Sequence, residues 1–262
     1  MAFINYKSMP AELGTHDVTE VQYKSDDFIV RGLLVTPRKS VNRIVVYLRG
    51  GKGQVGRVRL ARLLQFANDT TLVFAPYYRG NNGSQGHDAF GGADLQDVIA
   101  GVTILKALYP DVSVHLIGFS RGGIQGLLTY QDVQATSYII WGGVTDIKLM
   151  YEERVDLRGM LRRMVGHPKK HLSAYEQRDA LRLIDDTTPP ILIIHGGLDT
   201  QVGIHQAYHL EAHLAEHQAN YDTFYQMSEG HVPRPRAMAE VLERIRIWMD
   251  NIENRNVIKE RH

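Results

Sequence analysis

Five short apolar runs, separated by segments of helical period, constrain this chain more than any other feature of its sequence. They are Arg43 to Leu48 (RIVVYL), Thr71 to Ala75 (TLVFA), Val112 to Gly118 (VSVHLIG), Tyr138 to Trp141 (YIIW) and Ile191 to His195 (ILIIH). Each is rich in β-branched residues, nearly continuous and bounded by glycine or proline, the pattern of a parallel strand buried on both faces. Between them Leu60, Leu63, Leu64 and Ala67 recur at i, i+3, i+4, i+7, and so do Leu95, Val98, Ile99 and Val102. Alternation of this kind predicts a mostly parallel, doubly wound α/β sheet.

Two regions depart from that rhythm. Val18 to Tyr23 and Phe28 to Thr36 alternate around the turn signal Ser25-Asp26-Asp27, which predicts an antiparallel hairpin at the sheet edge. Residues 146–187 are charged and helix-leaning, with Gly166-His167-Pro168 breaking the pattern midway. They read as a small helical insertion within one domain spanning 1–262.

Composition narrows the function classes. With 30 Lys and Arg against 29 Asp and Glu, the net charge of +1 gives no reason to expect a nucleic-acid or anionic-membrane partner. Zero cysteines exclude disulfides, thiolate metal sites and cysteine nucleophiles. Met1 to Lys7 lacks a basic start followed by an apolar run, and no stretch approaches the roughly 18 apolar residues of a membrane span. The expectation is a cytoplasmic protein.

The chemistry centres on Gly118-Phe119-Ser120-Arg121-Gly122-Gly123, which follows a strand-like run and precedes a helical pattern, Ile124 to Tyr130. That context makes G-x-S-x-G a nucleophile elbow, in which a tight strand-to-helix turn exposes the serine hydroxyl. A serine needs a base to take its proton. Of twelve histidines, His231 lies between the strand-like YDTFYQM and a C-terminal helical segment, where active-site residues of open α/β sheets gather. Asp199 lies just past the run ILII, placed to accept the second N–H of that histidine, whereas Asp185 and Asp186 precede the same strand and fall at the wrong end of the sheet. An oxyanion hole needs two N–H donors. The backbone of Arg121 supplies one, and the loop Arg49-Gly50-Gly51-Lys52-Gly53 the other.

Taken together, these motifs resemble the catalytic domain of prolyl oligopeptidase-like serine hydrolases, a branch of the α/β-hydrolase fold. The resemblance covers most of residues 20–250. It rests on Arg49-Gly50-Gly51 where the family often has H-G-G, on Tyr77-Tyr78-Arg79-Gly80, on the elbow, on His195-Gly196-Gly197-Leu198-Asp199 and on Gly230-His231. It implies Ser120, Asp199 and His231 as the triad, with Gly51 and Arg121 as oxyanion donors. Peptidases of the family usually carry a large N-terminal propeller, whereas only about forty residues precede the first core strand here. That difference favours an esterase acting on small acyl compounds, with an aminopeptidase or acylpeptide hydrolase as the alternative and a catalytically silent binding module as the reading from another class.

Arg49, Tyr77, Tyr78 and Phe119 are candidate pocket residues, although aromatic residues near strand ends are more often core. Glu152, Glu153 and Asp156 are the only carboxylates on the insertion placed to clamp a peptide amino terminus, and the neighbouring arginines offset them. Arg154, Arg158, Arg162 and Arg163 read as the solvated face of a lid helix. His205, His209, His213 and His217 recur every fourth residue, but at about 100° per residue such a series fans around the helix. No metal or cofactor is expected, and the expected partner is a small ester or a short peptide.

Overall fold

The computed structural model describes residues 2–9, 13–53 and 55–259. Its strands are β1 (Asn5–Ser8), β2 (His16–Ser25), β3 (Phe28–Pro37), β4 (Arg43–Leu48), β5 (Thr71–Pro76), β6 (Ser113–Phe119), β7 (Ser137–Trp141), β8 (Ile191–Gly196) and β9 (Tyr221–Gln226). They form one sheet in the order β1-β2-β3-β5-β4-β6-β7-β8-β9. From β5 to β9 every pairing is parallel, and β1, β2 and β3 join antiparallel at one side. The mostly parallel sheet is the one that the alternating runs predict, and the fold is of the α/β-hydrolase kind that the family resemblance implies.

Ser25 pairs with Phe28 across the expected hairpin, leaving Asp26 and Asp27 as its two-residue turn. Asp26 sits at φ 51, the left-handed conformation that a tight hairpin demands. The hairpin is not itself the sheet edge, because β1 pairs outside β2. All four side chains of β1 are exposed, so no alternation marks it in the sequence.

The helices are α1 (Leu60–Leu64), α2 (Leu95–Leu108), α3 (Gly122–Leu127), α4 (Ile147–Glu153), α5 (Arg158–Met164), α6 (Leu172–Glu176), α7 (His205–Glu216) and α8 (Pro235–Lys259). Successive residues of the inner strands face opposite layers. Ile44, Val46 and Leu48 pack with α2, α3 and α7, whereas Val45 and Tyr47 pack with Leu63 of α1 and with Val241, Ile245 and Trp248 of α8. Burial on both faces is why these strands read as continuous apolar runs. Between β7 and β8 the insertion holds α4, α5, α6 and two short 3-10 turns, with Gly166 at φ 105 marking its break.

At the opposite end of the sheet from the elbow, α8 is fastened by a polar chain. Trp248 Nε1–H donates to Ser137 Oγ (3.2 Å), Ser137 lies 2.8 Å from His115 Nδ1, and His115 Nε2 lies 3.0 Å from Glu253. Arg43 donates to Glu253 from Nε at 2.8 Å and also pairs with Asp250. Burial drives the His115 pKa down against the pull of Glu253, so the ring is neutral and its Nε2–H is the donor. Burial also opposes ionisation of Glu253, but Arg43, His115 and Ser113 outweigh it and hold that carboxyl well below the usual range. Both depressed pKa values act in one direction. The stabilisation is complete above the unfolded histidine pKa of about 6.5 and drains as pH falls, further below about 4.3 where unfolded glutamate takes up its proton. Glu253→Gln should therefore cost about 2 kcal/mol at pH 8, the order of a charged hydrogen bond, and flatten the acid loss of stability. Urea unfolding at pH 8, 6 and 4 checks this, and an unchanged slope with pH would remove Glu253 from the account.

Candidate active site

Ser120 follows β6 directly, at φ 56. A residue with a side chain adopts that conformation only where its surroundings impose it. Its N–H donates to the Trp141 carbonyl (3.1 Å), and its carbonyl accepts from Gly123 (2.9 Å) and Val144 (2.9 Å). The turn closes tightly because Gly122 has no side chain, since a Cβ there would run into the Leu48 carbonyl at the end of β4.

His231 lies in the loop between β9 and α8, and Asp199 in the loop after β8. The His231 Nδ1–H donates to Asp199 Oδ2 at 2.7 Å. Oδ1 of the same carboxylate accepts the backbone N–H groups of Gln201 (2.8 Å) and Val202 (2.9 Å), which fixes its plane. Burial opposes ionisation of Asp199, but the bond from His231, the positive charge available there and the two backbone donors hold its pKa below the usual carboxylate value. His195, four residues earlier, donates from Nε2 to the Val202 carbonyl (2.8 Å), and burial keeps that ring neutral. The histidine of H-G-x-x-D thus braces the acid's loop. On its other side the His231 ring packs against Phe119, with centroids 4.8 Å apart.

Ser120 and His231 open onto one cavity of about 580 Å³, which Gly50, Gly51 and Arg121 also line. A Cβ on Gly50 would stand 2.7 Å from the Ser120 Cβ, so this stretch of backbone runs directly past the serine. The Arg121 side chain joins the two segments read as oxyanion donors. Its Nη1 donates to the Gly51 carbonyl (3.2 Å) and to Asp88 (2.7 Å), and its Nη2 donates to Asp94 (2.9 Å). Gln125 completes Asp94 at 2.6 Å, and Asn81 bridges Asp88 (3.1 Å) to the Gly53 N–H (2.9 Å). Sequence reasoning missed Asp88 and Asp94, because a carboxylate in a glycine-rich loop gives no sign of the cation it will meet.

Of the four candidate pocket residues only Phe119 lines the cavity. Arg49, Tyr77 and Tyr78 are buried beside it, with Arg49 donating to the Gly50 carbonyl (2.9 Å) and lying over the Tyr78 ring at 5.2 Å. The insertion roofs the cavity with Met150, Arg154, Leu157 and Met160. Arg154 therefore faces the site instead of open solvent, and Arg158 and Arg162 lie over the Tyr151 ring. On α7, His205 pairs with Glu153 (3.2 Å) and His213 Nδ1 with the His209 carbonyl (2.9 Å). Among the described residues no three His, Cys, Asp or Glu side chains converge as metal ligands, and no helix is long and apolar enough to cross a membrane.

Residues 59–255 match the family model described as "Prolyl oligopeptidase family". The chain belongs to the prolyl oligopeptidase family. It is a serine hydrolase of the peptidase kind. A Bacillus subtilis (strain 168) protein described as "Uncharacterized peptidase YtmA" is 39% identical over 236 residues, covering 87% of this chain and 91% of that one. Among solved structures, the acylaminoacyl peptidase of Pyrococcus horikoshii matches with a TM-score of 0.77 at 20% identity, over 92% of this chain and 42% of that one. A puromycin-hydrolyzing peptidase of Mycobacterium tuberculosis matches with a TM-score of 0.72 at 22% identity, over 86% of this chain and 38% of that one. The chain thus spans less than half the length of these solved peptidases, and likeness at such identity concerns the fold.

Proposed function

We propose that this family member hydrolyses short peptides whose amino terminus is blocked, through an acyl-enzyme on Ser120. His231 takes the Ser120 proton, Asp199 fixes the histidine tautomer and stabilises the imidazolium, and the N–H groups of Gly51 and Arg121 receive the oxyanion. Protonated His231 then delivers its proton to the leaving nitrogen, and water repeats the sequence to release the acid. Family membership moves support from the ester reading towards the peptide one, and the same steps also cleave activated esters.

The observation that carries the choice of a blocked terminus is the absence of a carboxylate from the cavity. None of the described lining residues is Asp or Glu. Among the carboxylates of the insertion, Glu153 is held by His205 and Asp156 by Arg154, and Glu152 does not line the cavity either. A free ammonium group entering this site would meet no opposite charge and several like ones, which disfavours it. N-acetyl-alanyl 4-nitroanilide is therefore expected to be cleaved with kcat/KM at least tenfold above alanyl 4-nitroanilide. Equal or better turnover of the free amine would replace this reading with an aminopeptidase.

A further inference from the structure

Cations are concentrated on one wall of the cavity. The loop from β4 to α1 presents Lys52, Arg57 and Arg59, and α1 presents Arg62, to the same space as Ser120 and His231. Two other arginines there are already neutralised, Arg121 by Asp88 and Asp94 and Arg154 by Asp156. None of these four cations enters an ion pair among the described residues. The chain as a whole is almost balanced, at +1, so this is a local excess and not a reflection of composition.

Arg62 is the most informative of the four. It is half-buried, and its guanidinium lies over Trp141 at 4.9 Å and over Phe119 at 5.6 Å. Its polar contacts are neutral: Nη1 donates to Gln65 Oε1 (2.7 Å) and lies 3.8 Å from Met238 Sδ. A cation on aromatic faces keeps its charge while giving up part of its water. The Phe119 ring also packs against the His231 ring, so the Arg62 charge stands no more than about 10 Å from that ring. A guanidinium–carboxylate contact takes up about 3–4 Å of that distance, and a chain of four to six bonds, at about 1.2 Å each, spans the rest.

Resting on the reading of Ser120 as nucleophile, we propose that the substrate carries an anionic group, a carboxylate within about six bonds of the scissile carbonyl, held by Arg57, Arg59 and Arg62. Lys52, Arg57 and Arg59 are exposed and Arg62 is half-buried, and unpaired cations of one sign lining a cleft raise the local concentration of an anion and favour its bound state. The preference is electrostatic, so salt screens it.

The test compares substrates that differ in charge and little else. On the acyl side these are mono(4-nitrophenyl) glutarate, 4-nitrophenyl hexanoate and the 4-nitrophenyl ester of 4-(trimethylammonio)butyrate. On the leaving-group side they are 4-carboxymethylphenyl acetate and its methyl ester. We expect kcat/KM for the anionic member of at least one series to exceed its neutral partner by tenfold or more, with the cationic ester slowest. That ratio should fall severalfold between 0.05 and 0.5 M NaCl, and towards one in an Arg57→Gln/Arg59→Gln variant, read as a ratio so that changes common to both substrates cancel. Ratios near one in both series, with Ser120 labelled by a neutral fluorophosphonate, would overturn the anionic preference and leave serine hydrolysis standing. Failure of Ser120 to label would overturn both.

Discussion

Ser120→Ala is expected to abolish covalent labelling by a fluorophosphonate and to lower kcat by about 10⁶-fold, the order seen when a triad serine is removed from a serine protease. The expectation follows from the placement of one hydroxyl. Ser120 is held at φ 56 by hydrogen bonds at both its N–H and its carbonyl, and its side chain shares a cavity with His231. Alanine keeps the Cβ that lies against Gly50, so the turn should survive and only the nucleophile is lost. Mass spectrometry of the probe-treated protein reads the result directly. A label that persists on the Ser120→Ala protein would move the nucleophile elsewhere.

Asp199→Asn is expected to lower kcat by about 10⁴-fold while leaving the fold intact. The Asp199 carboxylate can only accept, so His231 must carry its proton on Nδ1, and Nε2 is left free to receive the serine proton. An asparagine oriented with its amide towards Nδ1 donates instead and fixes the opposite tautomer, which cannot act as base. The same substitution has a thermodynamic signature. Asp199 has a depressed pKa in the fold, so its ionisation contributes stability above the unfolded value of about 3.9 and loses it as pH falls. The amide of the variant does not titrate, and the two proteins should differ more in unfolding free energy at pH 7 than at pH 3. Near-wild-type kcat in the variant would transfer the acid's role to another carboxylate.

The parts of this molecule that were legible in the sequence are those governed by short-range pattern. Inner strands declared themselves because burial on both faces leaves few polar positions between their ends, and the β2–β3 turn because Asp26-Asp27 tolerates positive φ. Ser120, Asp199 and His231 could be singled out as candidates because each follows a strand whose end is readable, and the fold brings Asp199 against His231 and opens Ser120 and His231 onto one cavity. β1 could not, since none of its side chains is buried and it gains only backbone pairing. Asp88 and Asp94 were hidden for a different reason. Their partner Arg121 is 33 and 27 residues away, and a buried ion pair at that separation has no periodicity to betray it. The cavity wall was hidden likewise, because Arg57, Arg59 and Arg62 become neighbours of Ser120 only when the end of β4 meets the end of β6.

The left-handed backbone at Ser120 bears on how this chain can change over generations. A side chain held at positive φ costs on the order of 1 kcal/mol that glycine would not incur. At this position, then, selection for persistence of the folded chain and selection for turnover pull in opposite directions. Lineages freed from the need for turnover have a stabilising exchange open to them at the very residue proposed as nucleophile, whereas lineages that keep it must recover the difference from packing elsewhere.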